Sequence, residues 1–177
     1  YTISQNIGSM YNKGIEVELK GDVIRNKNFT WNLGINGSTI KNRITKMPES
    51  NKEIISGTKK LKEGQSLYDY WVREWMGVNP VNGEALYRAD VWNPSNSFVD
   101  GKGDTVTNSI NNARYHYAGT AIPDLFGGIS STFSYKSFSL NFLLNYQLGG
   151  LVYDATYASL MHAGAYGAAL HTDMLKR

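Results

Sequence analysis

Cysteine is absent from the 177 residues, and only four prolines occur. Without a thiol, the chain has no disulfide framework, thiolate zinc site or cysteine nucleophile. Long apolar runs are absent too. A membrane-spanning helix needs about 18 consecutive apolar residues. The stretch that comes nearest to this, residues 155–170, is interrupted by polar residues and glycines. A β-barrel would leave no such run, because its strands alternate apolar and polar residues.

An excess of one charge is also lacking, since 18 basic residues stand against 15 acidic ones. The short basic run at residues 59–62 is interpreted as a solvated loop, and no nucleic-acid partner is expected. There is no export signal at Tyr1 and no structural stop at Lys176-Arg177, so we expect a piece of a longer protein.

Aromatic residues and glycine are plentiful, with 12 Tyr, 6 Phe, 4 Trp and 18 Gly, a composition that favours strands and tight turns. Strict alternation predicts one hairpin over residues 14–45 and a second over residues 125–148. The apolar positions of the first are Ile15, Val17, Leu19, Val23, Phe29, Trp31, Leu33 and Ile35. Those of the second are Leu125, Ile129, Phe133, Tyr135, Phe138, Leu140, Phe142, Leu144, Tyr146 and Leu148, with Leu143 as an exception on the polar side.

Two architectures share this pattern. A soluble sandwich or barrel turns its apolar face inward, and Trp31 and Phe142 would then form a core. An outer-membrane barrel turns the apolar face to lipid and the polar face to the lumen, which would put Leu140 near mid-bilayer and Asn141 in the lumen. Aromatics beside the short turns, and the alternation of short turns with long connections, favour the membrane interpretation. The expected fold class is therefore an all-β, antiparallel transmembrane barrel segment.

Several stretches resemble the SusC/RagA-like family of TonB-dependent outer-membrane transporters. Residues 62–87 contain EGQSLYDYWVREWMGVNPVNGEALY, similar to the family's "EGxSxYxFYxREWAGVxPxxGxPLY". Residues 121–128 and 133–140 resemble its "PxxxGG" and "YKxFxL" hairpin, residues 149–154 and 169–175 resemble the loop after it, and residues 12–18 resemble an "NxGxE" strand start. The chain is thus identified as similar to the C-terminal portion of such a transporter.

The resemblance implies a barrel on the order of 22 strands with a plugged lumen. It implies cell-outer-membrane location and import of oligosaccharides or peptides with a SusD-like surface lipoprotein. The plug, through which TonB–ExbB–ExbD would act, is absent from these residues. Extracellular loops are expected at residues 47–66, 91–121 and 149–177.

Candidate ligand- or partner-facing residues lie between and after the hairpins: Trp71, Arg73, Trp75, Trp92, Arg114, Tyr115 and His162. Alternation would put Trp71, Arg73 and Trp75 on one strand face, with Tyr68 and Tyr70 on the other. Alternatively, these aromatic residues have a structural role, packing a strand pair, or they contact the partner lipoprotein.

No cofactor, metal or catalytic residue is expected. The family's calcium-like loop is reduced to residues 100–104, and His116, His162 and His171 have no zinc-site spacing. Glu16, Glu18 and Asp22 would share a strand face, which leaves an outer-membrane barrel enzyme as a lesser alternative to transport, beside a soluble ligand-binding barrel or sandwich.

Overall fold

The computed structural model describes residues 8–162, 164 and 166–176. Within them the chain is almost entirely antiparallel β-structure, which confirms the expected all-β class. The strands are β1 Ser9–Arg25, β2 Phe29–Lys46, β3 Glu53–Ser56, β4 Lys59–Lys62, β5 Asp69–Arg73, β6 Trp75–Val78, β7 Ala85–Arg88, β8 Ser97–Val99, β9 Thr105–Thr107, β10 Tyr115–Thr120, β11 Leu125–Tyr135 and β12 Phe138–Leu148. In residues 8–162, 164 and 166–176, helical structure is limited to α1 Ala155–Leu160 and 3-10 turns at Ile110–Asn112 and Thr172–Lys176. No described helix has the length and apolarity needed to cross a membrane.

The four long strands form one sheet in the order β1-β2-β11-β12. Alternation predicts the two hairpins but not their contact, which β2 and β11 make along ten consecutive residue pairs. Both short turns lie at the same end, where the amide of Lys136 donates to the carbonyl of Asn28 at 2.9 Å. Residues 47–124 therefore leave and re-enter the sheet at the opposite end, and we call them the excursion.

The register divides this sheet into two chemically distinct faces. Residues directly opposite in antiparallel strands point to the same side. One row joins Leu19, Ile35, Ile129 and Leu144, and the row nearest the turns joins Phe29, Tyr135 and Phe138. On the other side, the intervening rows of β2, β11 and β12 carry Asn, Gln, Ser, Thr and Gly, with Phe126 and Leu143 as the apolar exceptions. The sheet is thus apolar on one face and polar on the other.

None of the residues that the structure describes covers the apolar face of this sheet. Phe142 is 54% exposed and Leu144 is 60% exposed, whereas the buried residues of the described chain include Val106 and Thr107 in a small sheet of the excursion. Trp31 and Phe142 therefore do not form the core that a soluble sandwich would need. An apolar face with nothing packed on it is what contact with lipid requires.

The expected position of Leu140 needs correction. Leu140 lies only one same-face row from the turn-end row of Phe138, because it pairs with Phe133, which in turn pairs with Trp31. From Phe29 to Thr39 the apolar side of β2 runs ten residues, about 34 Å along the strand. A tilt near 45° projects this to about 24 Å, the height of a lipid-facing band. Its middle falls between Phe142 and Leu144, so Leu140 lies nearer the turn-end edge.

The strict alternation of β1 also fails at one position. A register shift between Asp22 and Ile24 leaves Val23 without a paired partner, and Ile24, rather than Val23, lies opposite Trp31. Such a bulge sets two residues of one strand against one of its neighbour and increases the local twist. Because Val23 and Ile24 are both apolar, the sequence pattern does not reveal the shift.

Glycine allows β2 and β11 to approach closely at one point. A side chain at Gly127 would lie 2.1 Å from the carbonyl oxygen of Asn36 and 2.7 Å from the hydroxyl of Tyr146. That hydroxyl donates to the same Asn36 carbonyl at 2.7 Å. The Tyr146 hydroxyl thus lies beside the paired glycines Gly37 and Gly127, and its hydrogen bond ties β12 to β2 across the intervening strand.

The excursion is not an irregular loop. It contains two small four-stranded sheets, ordered β10-β5-β4-β3 and β6-β7-β9-β8. Strands therefore occur inside the segments 47–66 and 91–121, and α1 occurs inside 149–177. Residues 163, 165 and 177 of that last segment lie outside the described residues.

Asn42 fastens the excursion to the long strands. Its amide oxygen accepts from the Ser66 hydroxyl at 3.0 Å and from the amide of Leu67 at 2.9 Å. Its Nδ2 donates to Oδ1 of Asn12 at 2.7 Å. Asn42 is only 8% exposed, so it satisfies three groups at a buried junction.

Candidate functional site

Three of the predicted residues meet on one face of the sheet β10-β5-β4-β3. Tyr115 lies opposite Arg73, and Tyr117 lies opposite Trp71, so these four side chains share a side. The Trp71 ring stacks on Tyr115 with centroids 5.9 Å apart and contacts Tyr117 at 4.7 Å. We call Trp71, Arg73, Tyr115 and Tyr117 the Trp71 surface.

The guanidinium of Arg73 is held at the edge of this surface. It lies 4.7 Å from the centroid of the Tyr115 ring, and its Nε donates to the carbonyl of Ile110 at 2.9 Å. Among the described residues Arg73 forms no ion pair, so its terminal nitrogens keep their donors available. Fixed orientation with open donors suits a carboxylate ligand, which a planar guanidinium binds through two hydrogen bonds.

Charged residues of β3 and β4 lie next to the Trp71 ring. Nζ of Lys60 lies 4.5 Å from the Trp71 ring centroid and 2.8 Å from a carboxylate oxygen of Glu53, which also pairs with Lys62 at 2.7 Å. Hydrogen bonds from Lys60 and then Lys62 lower the pKa of Glu53 from its ordinary value to about 2. Glu53 is therefore ionised at neutral pH, and it compensates both lysines.

The interpretation of residues 59–62 as a solvated loop is wrong. They form β4, paired with β3 and β5. Lys59 caps the ring of Tyr70 at 3.6 Å and donates to the carbonyl of Tyr68, while Lys60 and Lys62 pair with Glu53. The three lysine side chains therefore make contacts that stabilise this sheet.

Arg114 has a structural partner that the sequence analysis missed. Its Nε donates to Oε2 of Glu74 at 3.0 Å, and Nε of Arg88 donates to Oε1 at 2.7 Å. Partial burial raises the pKa of Glu74, but the hydrogen bonds from Arg88 and Arg114 outweigh it and lower the pKa below its ordinary value. Glu74 links the two small sheets, since its amide bonds to the Arg114 carbonyl and its own carbonyl accepts from Arg88.

Trp75, Trp92 and His162 come from other segments of the chain than the Trp71 surface: β6, the connection between β7 and β8, and the residues after α1. The expectation that Trp75 shares a face with Trp71 and Arg73 is wrong, because β5 ends at Arg73 and Trp75 begins β6 in the other small sheet. Trp75 packs edge-on against Tyr87 at 5.5 Å, and Trp92 is exposed. Nδ1 of His162 accepts from the amide of Gly164 at 3.1 Å.

Residues 100–104 form a turn fixed by a side chain. Oδ1 of Asp100 accepts from the amides of Lys102 and Asp104, both at 2.9 Å. The hydrogen bond from the Asp104 amide is the main cause that lowers the pKa of Asp100 below its ordinary value. Asp104 itself pairs with Arg88 at 2.9 Å. Across the residues described, no three His, Asp or Glu side chains group as metal ligands.

The carboxylates of β1 do not converge on a reaction centre. Asp22 accepts from Asn32 at 3.0 Å and pairs with Arg25 at 3.3 Å. Glu16 and Glu18 are exposed on the same strand face, opposite Ser38 and Asn36. Their neighbours on the next strand are neutral polar residues, as along the rest of the polar face.

The sequence is similar to those of several TonB-dependent receptors. TonB-dependent receptor P3 of Formosa agariphila is 28% identical over 97% of this chain and 18% of its own length. TonB-dependent receptor SusC of Bacteroides thetaiotaomicron is 29% identical over 85% of this chain and 15% of its own length. No family model matches. The chain spans less than a fifth of these relatives.

The solved structures agree in fold. The RagAB peptide importer in its "closed-closed" state superposes with a TM-score of 0.68 at 24% identity, over 82% of this chain and 16% of that one. The chain resembles a segment of the SusC/RagA-like TonB-dependent transporters. The part of the chain that resembles these transporters contains the four-stranded sheet β1-β2-β11-β12, which we call the wall, and the excursion with the Trp71 surface. Its relatives are named receptors and transporters, not enzymes.

Proposed function

We propose that this segment is wall and outer surface of an outer-membrane importer that takes up oligosaccharides or peptides by a TonB-dependent mechanism. The observation that carries the proposal is the sided, uncovered sheet with both short turns at one end and the excursion at the other. Membrane barrels have short periplasmic turns and long extracellular loops. The excursion would then face the medium, and the polar face would line the lumen.

We also propose partners for a segment placed in this way. A SusD-like lipoprotein would cover the excursion, and TonB with ExbB and ExbD would act through a plug outside these residues. The RagAB structures are of a peptide importer, which supports a transport role for the related segment. No catalytic role is proposed, because Glu16, Glu18 and Asp22 are spread along an exposed strand.

Orientation can be tested by cysteine labelling, since this segment has no cysteine of its own. In the full-length protein on intact cells, we expect Lys102→Cys, between β8 and β9, to react with a membrane-impermeant maleimide. Ser137→Cys, in the short turn, should react only after the outer membrane is permeabilised. Both variants should label equally in permeabilised cells, which controls for reactivity.

The opposite labelling order would invert the proposed orientation. Equal labelling of both sites on intact cells, with a periplasmic marker protein protected, would reject the membrane placement. A full-length protein that stays folded in buffer without detergent would do the same and favour the soluble ligand-binding alternative.

We further propose that the Trp71 surface contacts the imported ligand. Its rings offer apolar area and Arg73 offers hydrogen-bond donors, while Arg114, bound to Glu74, supports the fold beside it. Trp75 and Trp92 belong to other parts of the excursion, and His162 follows α1 outside it. These three residues would contribute to partner contact rather than to this surface.

The Arg73→Gln variant tests this ligand role. Fluorescent neutral oligosaccharides and a fluorescent peptide digest would first be screened for accumulation that a protonophore abolishes. With the accumulated pool, we expect Arg73→Gln to raise the half-saturation concentration about tenfold, since a charged hydrogen bond contributes about 1.5–3 kcal/mol. Lys102→Gln, an equal loss of charge on the excursion, should leave uptake unchanged. Normal uptake by Arg73→Gln at normal surface level would reject the ligand role.

A further inference from the structure

The apolar side of the β1–β2 pair changes chemistry at one row. Continuous register along β1 sets Leu19 opposite Ile35, Val17 opposite Gly37 and Ile15 opposite Thr39. The next rows on the same side are Lys13 with Lys41, and then Tyr11 with Arg43. We call Lys13, Lys41, Arg43 and Tyr11 the basic rows.

The basic rows begin where the apolar band ends. The band spans about 24 Å between the Phe29 row and the Thr39 row, close to the height expected for lipid contact. The following row would lie at headgroup depth, at the end from which the excursion leaves. The rows point away from the lumen, because they share the side of Leu19 and Ile35.

The cations of the basic rows lack carboxylate partners. Lys13, Lys41 and Arg43 are exposed, and none forms an ion pair within the part of the chain that the structure describes. Asp69 and Asp124 line the same cleft as Lys41 and Arg43, but the Asp69 carboxylate accepts from the Ser66 amide, and Asp124 remains beyond ion-pair distance. Nζ of Lys13 lies 5.5 Å from the centroid of the Tyr11 ring, which has the amphipathic character of interfacial aromatics.

We propose that the basic rows bind a phosphate-bearing headgroup of a lipid in the outer leaflet. Two observations support this occupant: three uncompensated cations on the lipid-facing side, and their position one row beyond the apolar band. Basic clusters at this depth bind anionic headgroups. The inference rests on the orientation given under Proposed function.

The test uses full-length protein in neutral detergent, with purified phosphorylated lipid A as the probe and native mass spectrometry as the readout. We expect the triple variant Lys13→Gln, Lys41→Gln, Arg43→Gln to bind about tenfold more weakly or worse. The triple control Lys20→Gln, Lys27→Gln, Lys136→Gln removes the same charge from the polar face and the short turns, and it should bind as wild type does. Phosphatase-treated lipid A should bind wild type as weakly as intact lipid A binds the variant.

Several results would overturn the proposal. These are equal binding by the basic-row variant, equal weakening by the control, and no effect of removing the lipid phosphates. Competition by inorganic phosphate alone at the affinity of the lipid would indicate a free-anion site instead. The lipid comparison on wild-type protein holds even if the variant misfolds. Labelling of Lys102→Cys reports orientation separately, so normal orientation without lipid binding rejects only this inference.

Discussion

Leu144→Arg is expected to destabilise the folded receptor by about 2–4 kcal/mol, whereas Leu143→Arg is expected to cost close to zero. The two leucines are adjacent and similarly exposed, at 60% and 72%. Leu144 lies in the aliphatic row with Ile129 and Ile35, near the middle of the band, and an arginine there must enter hydrocarbon. Leu143 lies opposite Ser130 on the polar face, where water is available.

The measurement is reversible unfolding of full-length protein in lipid vesicles, followed by tryptophan fluorescence in guanidinium. Leu140→Arg should be intermediate, because it lies one same-face row from the turn-end residues and its charge can reach the interface. Asn141→Arg, on the polar face, should be tolerated. Equal costs at Leu143 and Leu144 would contradict the assigned sides of the sheet.

Asn42→Leu is expected to cost about 2–4 kcal/mol at the junction between the wall and the excursion. Leucine has a similar shape but leaves the Ser66 hydroxyl and the Leu67 amide unpaired, at about 1–3 kcal/mol for each buried group. Hydrogen exchange by mass spectrometry should show faster exchange over residues 64–69, because loss of this junction loosens the chain locally.

Two further variants separate this effect from a general one. Asn32→Leu removes an amide from the same face of the same strand, but it loses only an exposed bond to Asp22, so exchange at residues 64–69 should not change. Asn42→Asp keeps an oxygen acceptor for Ser66 and Leu67 and should recover part of the protection. Unchanged exchange in Asn42→Leu would mean that the backbone bonds between Ile44 and residues 64–65 hold the junction alone.

The sequence was sufficient for the long strands because period-2 alternation is a strong signal over ten or more residues. It could not give the pairing of β2 with β11, since every residue of a sided strand fits several neighbours equally well. Nor could it give the bulge at Val23, where two apolar residues stand in a row. Register depends on the partner strand, which alternation does not name.

The candidate site was predictable in composition but not in assembly. Trp71 and Arg73 come from β5, while Tyr115 and Tyr117 come from β10, and only pairing across about 40 residues of chain makes one surface. Glu74 was missed because a single acid between an arginine and a tryptophan has no pattern of its own. Residues 59–62 were misinterpreted because a four-residue strand of mostly lysine has no apolar alternation to mark it.

The adjacency of β2 and β11 makes the excursion an exchangeable cassette. Both its ends connect to neighbouring strands that already pair along ten residues, so the wall does not depend on what lies between them. The entropic penalty for closing a connection grows only with the logarithm of its length. Insertions, deletions or wholesale replacement of residues 47–124 would therefore be tolerated, provided that an anchor equivalent to Asn42 is kept. Descendants of one barrel could in this way acquire new ligand preferences by swapping a contiguous piece of gene.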